Sequence, residues 1–193
     1  MGRIFVAAPL TAAARETIAA RLSATLAGRP LPGRVVDPRH WHLTLRFLGD
    51  ISAAQRRDLC RELRLAALGA AFPITFTSLG AFPTPERARV LWLGTGAGAA
   101  ELAALAAGVE GAAREAGFPP EQRPFRAHLT LARLRPDGDV RALVQRAGRL
   151  DVQSTVDQVV VFRSHLGRGG ARYEALDVLA LPAAGGSGSL PPY

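Results

Sequence analysis

The sequence predicts an α/β fold of the α+β type, built from two similar lobes with a groove between them. The tetrapeptide His-Leu-Thr-Leu occurs twice, at 42–45 and at 128–131, and each copy alternates polar and apolar residues as a half-buried strand does. Around each copy the chain repeats one order of elements: strand, helix, motif strand, helix, strand. The length of 193 residues also fits, because it suits one domain or two small lobes that share a core.

Local signals place the elements of the first half. Thr11 caps a helix whose apolar residues recur at every fourth position, and Gly28 stops this helix. Ser52 and Gln55 form a capping box that starts the second helix. Alternation or short β-rich runs predict strands over 3–8, 34–37, 40–48 and 72–79.

The second half repeats this order. An alanine-rich helix is predicted between Gly98 and Gly117, and Asp139 is expected to cap a shorter one. Strands are predicted over 89–94, 125–134, 158–163 and 172–181. Residues 1–181 are therefore expected to form a single bilobal domain. The segment 182–193 is rich in Gly, Ser and Pro, which predicts a disordered tail.

Composition favours an anionic partner and excludes several classes of protein. The single cysteine, Cys60, excludes an internal disulfide and fits a cytoplasmic location. Neither a signal peptide nor a run of about 20 apolar residues appears, so we expect no membrane segment. The net charge is +8 and all 24 basic residues are arginine. Guanidinium groups bind phosphates and stack on bases, which suggests nucleic acid as the partner. A solvated basic surface is the alternative that the charge alone leaves open.

The twin motifs predict acid–base chemistry. Strand alternation places the histidine and the threonine of each copy on one face, with both leucines on the other. Imidazole titrates at about pH 6.5, so one histidine can take a proton from a nucleophile while the other gives one to a leaving group. Threonine hydroxyls can donate to phosphate oxygens. One such motif is usually structural, but its repetition in equivalent positions favours catalysis.

The remaining histidines suggest a weaker alternative. His40 and His42 alternate on the predicted strand and could chelate a metal ion. The third ligand would have to come from His128, His165, Cys60 or a carboxylate, and no spacing supports one. We therefore expect neither a metal nor a cofactor. His165 is expected in a loop or at the surface.

The segments around both motifs resemble the two-histidine (2H) phosphoesterase superfamily. Within it, they are most similar to the bacterial and archaeal RNA 2′,3′-cyclic phosphodiesterases, once described as 2′-5′ RNA ligases. The resemblance covers residues 1 to about 181, and Ala127 departs from it where a proline commonly precedes the histidine. The similar segments are 3–7, 38–50, 125–133 and 162–176.

This resemblance implies a bilobal fold of antiparallel-rich sheet, with outer helices and a central water-filled cleft. It implies a phosphodiesterase that hydrolyses RNA or nucleoside 2′,3′-cyclic phosphate ends to 2′-phosphomonoesters without a metal. By analogy His42 is the general acid and His128 the general base, although the pseudo-twofold arrangement makes the two positions nearly interchangeable.

The resemblance also implies residues that bind the substrate. Thr44 and Thr130 correspond to the phosphate-binding threonines. Phe47 and Arg133 each lie five positions after a motif histidine and are expected to flank the nucleobase, by stacking and by cation–π contact. Core packing is the alternative for Phe47, and Arg133 can also reach the phosphate. The expected partner is RNA with a 2′,3′-cyclic phosphate end, or a cyclic nucleotide, bound by a monomer.

Two other classes of function stay open. A 2H enzyme could act on another cyclic phosphate, such as a cyclic nucleotide or ADP-ribose 1″,2″-cyclic phosphate, or on a 2′-5′ linkage, including weak 2′-5′ RNA ligation. A non-catalytic RNA-binding module would use the basic groove without chemistry. The two intact His-x-Thr motifs argue against that module.

Overall fold

The computed structural model describes residues 3–167 and 170–184. Most of the predicted tail, residues 185–193, lies outside the described part. The helices are α1 (Ala12–Thr25), α2 (Ala53–Leu65), α3 (Ala99–Glu115) and α4 (Arg141–Ala147). The strands are β1 (Arg3–Pro9), β2 (Arg34–Val35), β3 (His42–Gly49), β4 (Phe72–Phe82), β5 (Ala88–Thr95), β6 (His128–Gly138), β7 (Arg149–Val156), β8 (Gln158–Gly167) and β9 (Gly170–Ala180).

The strands of the described residues form one antiparallel sheet in the order β7-β4-β5-β6-β3-β1-β8-β9, with β2 added beside β6. The two motif strands, β3 and β6, are the central neighbours in this order. We call β3, β1, β8 and β9 the His42 lobe, and β6, β5, β4 and β7 the His128 lobe. The predicted α+β fold with an antiparallel sheet is confirmed.

The lobes do not coincide with the two halves of the chain. Strand β4 belongs to the first half but lies in the His128 lobe, where it pairs with β5. Strand β8 comes from the second half and pairs with β1 in the His42 lobe. Helices α1 and α3 also cross over, since α1 packs against β7 and α3 against β3. The halves are thus interlocked, because each contributes strands and a helix to the lobe of the other.

Capping chemistry sets the helix ends much as the sequence predicts. The Thr11 side chain accepts a hydrogen bond from the Ala14 backbone at the start of α1, and Ser52 and Gln55 complete a capping box at α2. Asp139 does not cap α4 directly. The N-cap position is Val140, one residue later than predicted, although the Asp139 carboxylate accepts a hydrogen bond from the Arg141 backbone N–H.

One of the strands, β7, was not predicted from the sequence. Strand β7 alternates strictly between exposed and buried residues, from Arg149 to Val156. Its buried positions are Leu150, Val152, Ser154 and Val156. That period of two is the signal by which the sequence could have revealed it. No helix in the described part of the chain is long and apolar enough to span a membrane.

Candidate active site

The two motif strands meet at one point, which sets the geometry of the site. Leu43 and Leu129, the second residues of the two motifs, pair across β3 and β6. In an antiparallel register the residues beside such a pair face one another, so the histidine of each motif lies opposite the threonine of the other. The two histidines are diagonal neighbours, about 7–8 Å apart in a regular ladder. All four polar residues, His42, Thr44, His128 and Thr130, are half-buried.

A β-bulge follows each His-x-Thr unit at the same motif position. The pairing of β3 with β1 skips Leu45, and the pairing of β6 with β5 skips Leu131. A bulge reverses which residues face each side of a strand. Strict alternation would have put Phe47 and Arg133 on the leucine face, but after the bulges both line the cleft.

Both histidines are held in the same tautomer by the backbone. Nδ1 of His42 lies 2.7 Å from the carbonyl oxygen of His40. Nδ1 of His128 lies 2.7 Å from the carbonyl oxygen of Arg126. A carbonyl only accepts hydrogen bonds, so Nδ1 must carry the proton in each ring. Nε2 of each neutral imidazole is therefore the basic nitrogen, available for proton transfer.

Aromatic rings surround both histidines and favour their neutral forms. The His42 ring lies 5.0 Å from Phe5 and 5.2 Å from Tyr173, between ring centroids. The His128 ring lies 5.1 Å from Phe82, edge to face. Burial, with a smaller contribution from the positive charge of Arg133, lowers the pKa of His42 from 6.5 to about 4. Burial and Arg133 also lower the pKa of His128.

Most of the predicted site residues share one cleft of about 1100 Å³. Those lining it are His42, Thr44, Phe47, Thr130 and Arg133. His128 is not among the lining residues. It belongs to the same face of β6 as Thr130 but packs beside Phe82 and Trp92. Phe47 is 58% exposed, so its ring is a cleft wall and not part of the core.

The cleft also contains residues that the sequence did not single out. Four more arginines line it, on different elements: Arg3, Arg34, Arg39 and Arg172. Tyr173 is another, and its only signal was its position inside the segment 162–176 that resembles the 2H enzymes. Arg3, Arg39 and Arg172 likewise lie inside segments that resemble these enzymes, at 3–7, 38–50 and 162–176. Arg34 had no such signal, because only the pairing of distant strands brings it to the cleft.

The predicted His-x-His pair is not formed on one strand. His40 ends a short 3-10 turn over Pro38–His40, and β3 begins only at His42. Asp37 caps this turn by accepting a hydrogen bond from the Arg39 backbone N–H. Within residues 3–167 and 170–184, no cluster of three or more potential metal ligands occurs. His165 lies on β8, exposed, and contacts Glu174 at 2.9 Å.

Comparison with known proteins identifies similar chains. A family described as LigT like phosphoesterase matches this chain twice, over residues 11–92 and 93–173. An RNA 2′,3′-cyclic phosphodiesterase of Aeropyrum pernix is 36% identical over 164 residues, which cover 81% of this chain and 91% of that protein. The Escherichia coli protein of the same name is 31% identical over 180 residues, covering 93% and 96%.

Solved structures share the fold. The structure of TT0787 from Thermus thermophilus has a TM-score of 0.75 and 28% identity, and the match covers 94% of this chain and 98% of that one. The structure of Escherichia coli LigT in complex with 3′-AMP has a TM-score of 0.71 and 28% identity, with 93% and 98% covered.

Proposed function

The chain belongs to the LigT-like family of 2H phosphoesterases, and from this premise we propose that it hydrolyses RNA or nucleoside 2′,3′-cyclic phosphate ends to 2′-phosphomonoesters. The observation that carries the proposal is the pair of His-x-Thr units, each with its histidine Nδ1 bound to a backbone carbonyl. Several relatives are named RNA 2′,3′-cyclic phosphodiesterases. Both units come from one chain, so we expect a monomer to be active.

The proposed reaction is an in-line displacement at phosphorus. The Thr44 and Thr130 hydroxyls donate to the non-bridging phosphate oxygens and stabilise the negative charge that grows on them. Nε2 of His128 takes a proton from water as the water oxygen bonds to phosphorus. Nε2 of protonated His42 gives its proton to the 3′ oxygen as the phosphorus–oxygen bond breaks. The product keeps its phosphate on the 2′ oxygen, and the histidines return to their starting forms by exchanging protons with solvent.

Phe47 and Arg133 are proposed to hold the rest of the terminal nucleotide. Phe47 offers an exposed ring on which a base can stack. Arg133 lines the cleft together with His42 and Thr130, and its guanidinium is proposed to bind the phosphate there. Reaction in the cytosol fits the single, buried thiol of Cys60.

The decisive experiment identifies the product from an oligoribonucleotide with a 2′,3′-cyclic phosphate end. We expect a 2′-phosphate, detected by phosphorus NMR or by resistance to a 3′-specific phosphatase. A 3′-phosphate would mean that the 2′ oxygen leaves and would reverse the assignment. No turnover of this substrate, together with cleavage of a 2′-5′ linkage or another cyclic phosphate, would move the function to those substrates. Binding without turnover of any of them would favour an RNA-binding module.

The pH dependence should reflect two unusually acidic imidazolium groups. One histidine must be protonated and the other neutral, and both pKa values lie below the ordinary 6.5, that of His42 at about 4. The singly protonated pair is therefore most abundant below pH 6.5 in the free enzyme. We expect kcat/KM to peak in that acidic range, and kcat to peak higher, because the bound phosphate anion raises both pKa values. A peak of kcat/KM above about pH 7.5 would contradict this reasoning.

A further inference from the structure

Two arginines face each other across the strands β2 and β6. Arg34 of β2 is the direct partner of Arg133 of β6 in the antiparallel register. Directly opposed residues project to the same side of a sheet, with Cβ atoms about 4.5–5.5 Å apart. Like charges in such a pair repel one another and destabilise the pairing. The pair therefore has a cost that a bound anion would remove.

No carboxylate in the described part of the chain compensates this pair. Neither Arg34 nor Arg133 takes part in any ion pair formed by the described residues. Among the described residues, Asp37 is the one acidic residue that lines the cleft, and Arg39 pairs with it at 2.6 Å. Hydrogen bonds from Arg39 lower the pKa of Asp37 to about 2, so this carboxylate is already neutralised as an ion pair.

The backbone fixes Arg34 at this place. Strands β3 and β6 pair only at the motif leucines, and β2 pairs with β6 farther along, at Ala132 and Arg133. The Val36 backbone N–H extends this contact by donating to the Leu131 carbonyl at 2.8 Å. Gly33 permits the approach, because a Cβ there would lie 2.6 Å from the Arg133 carbonyl oxygen.

Both arginines line the same cleft as Tyr173. Burial raises the pKa of the Tyr173 phenol, while the charges of Arg133 and of Arg34 both oppose this rise. Arg133 also lowers the pKa of both candidate catalytic histidines. Arg133 belongs to the motif strand β6, and Arg34 continues the same positively charged side of the cleft on β2. The cleft volume of about 1100 Å³ exceeds the roughly 300–1,000 Å³ of a typical small-molecule site.

We propose that Arg34, together with Arg133, forms a second phosphate site, which binds the phosphate on the 5′ side of the nucleotide that carries the cyclic end. This inference rests on the proposed function and adds to it that the substrate carries at least two phosphates. Either a terminal 5′-phosphate or the internal phosphodiester of a longer RNA supplies this chemistry. A guanidinium binds two phosphate oxygens at once, which suits either source.

Three substrates test the second phosphate site: adenosine 2′,3′-cyclic phosphate, its 5′-phosphorylated form, and the dinucleotide ApA with a 2′,3′-cyclic end. We expect kcat/KM to rise about tenfold or more when a 5′ phosphate is present, as one charge-assisted contact allows. In Arg34→Gln this advantage should shrink by a similar factor. For the dinucleotide, the slope of log kcat/KM against log salt should become shallower by about 0.7.

Arg29→Gln is the matched control, because Arg29 is exposed, is close in sequence and does not line the cleft. It should keep the full advantage of a 5′ phosphate. Equal kcat/KM for all three substrates in the wild type would overturn the second site while leaving the proposed function intact. The second site would also be overturned if only the dinucleotide had a higher kcat/KM and Arg34→Gln did not reduce that difference. Failure to hydrolyse even the mononucleotide would instead count against the proposed function itself.

Discussion

Replacing either motif histidine with alanine is expected to lower kcat/KM for a 2′,3′-cyclic phosphate by about 10²- to 10⁴-fold. His42 and His128 occupy equivalent places, and each presents Nε2 with its other ring nitrogen bound to a carbonyl. If the two histidines act as one acid–base unit, kcat/KM of the double variant should be nearly the same as that of the less active single variant. Steady-state kinetics on purified variants measures both effects.

The matched control is His165→Ala, because this histidine is exposed and lies outside the candidate catalytic pair. It should retain wild-type turnover. Circular dichroism and urea unfolding should show that all variants fold. Near-normal turnover in a folded His42→Ala or His128→Ala variant would refute the catalytic role of that histidine.

A p-nitrophenyl phosphodiester separates the two proposed roles. Its leaving group is a good one that needs no protonation, so loss of the general acid matters little while loss of the general base still does. With the roles as proposed, His42→Ala should regain most of its activity on this ester, and His128→Ala should not. The opposite result would exchange the roles of the two histidines.

The second large effect is expected on stability, from Arg46→Met. Arg46 is 8% exposed, and the bulge at Leu45 turns it away from the cleft. Its Nη1 lies 2.7 Å from Glu121, its Nη2 donates to the Pro119 carbonyl at 2.6 Å, and its Nε lies 2.8 Å from Glu110. It thereby joins β3 to α3 and to the segment that leads to the second motif. Removing it leaves two carboxylates unpaired, so the free energy of unfolding should fall by about 3 kcal/mol.

Urea unfolding of two further variants provides the comparison for the stability loss expected in Arg46→Met. Arg46→Lys keeps the charge but loses the planar fork, and it should lose less stability than Arg46→Met. Arg61→Met removes an ion-paired arginine that is 60% exposed, so it should cost at most about 1 kcal/mol. If Arg46→Met were no more destabilising than Arg61→Met, the buried ion pairs would contribute nothing that an exposed pair does not.

Much of the site was predictable because it is local. Alternation within a strand places a histidine and a threonine on one side wherever the motif occurs, and the repetition shows that two such units exist. The helix caps at Thr11 and Ser52 are equally local, since each depends on residues within one turn. These features need no knowledge of distant contacts.

Other features were beyond the reach of local patterns. The role proposed for Arg34 depends on its pairing with Arg133 of β6, about 100 positions away along the chain. The exchange of β4 and β8 between the lobes likewise depends on pairing between distant segments. The prediction that His40 belongs to the motif strand is wrong for a local reason. Asp37 and Pro38 begin a turn that ends at His40, so β3 starts only at His42.

The sequence alone determined the twin His-x-Thr units, the α+β class and the resemblance to 2H phosphoesterases. These features depend only on which residue types occur at short, fixed spacings along the chain. The tertiary structure alone decided which side chains after each unit face the cleft. Strict alternation would bury Phe47 and Arg133, and a bulge in each motif strand reverses them. A bulge forms when two paired strands fall out of step, so it belongs to the pairing and cannot be read from either strand by itself.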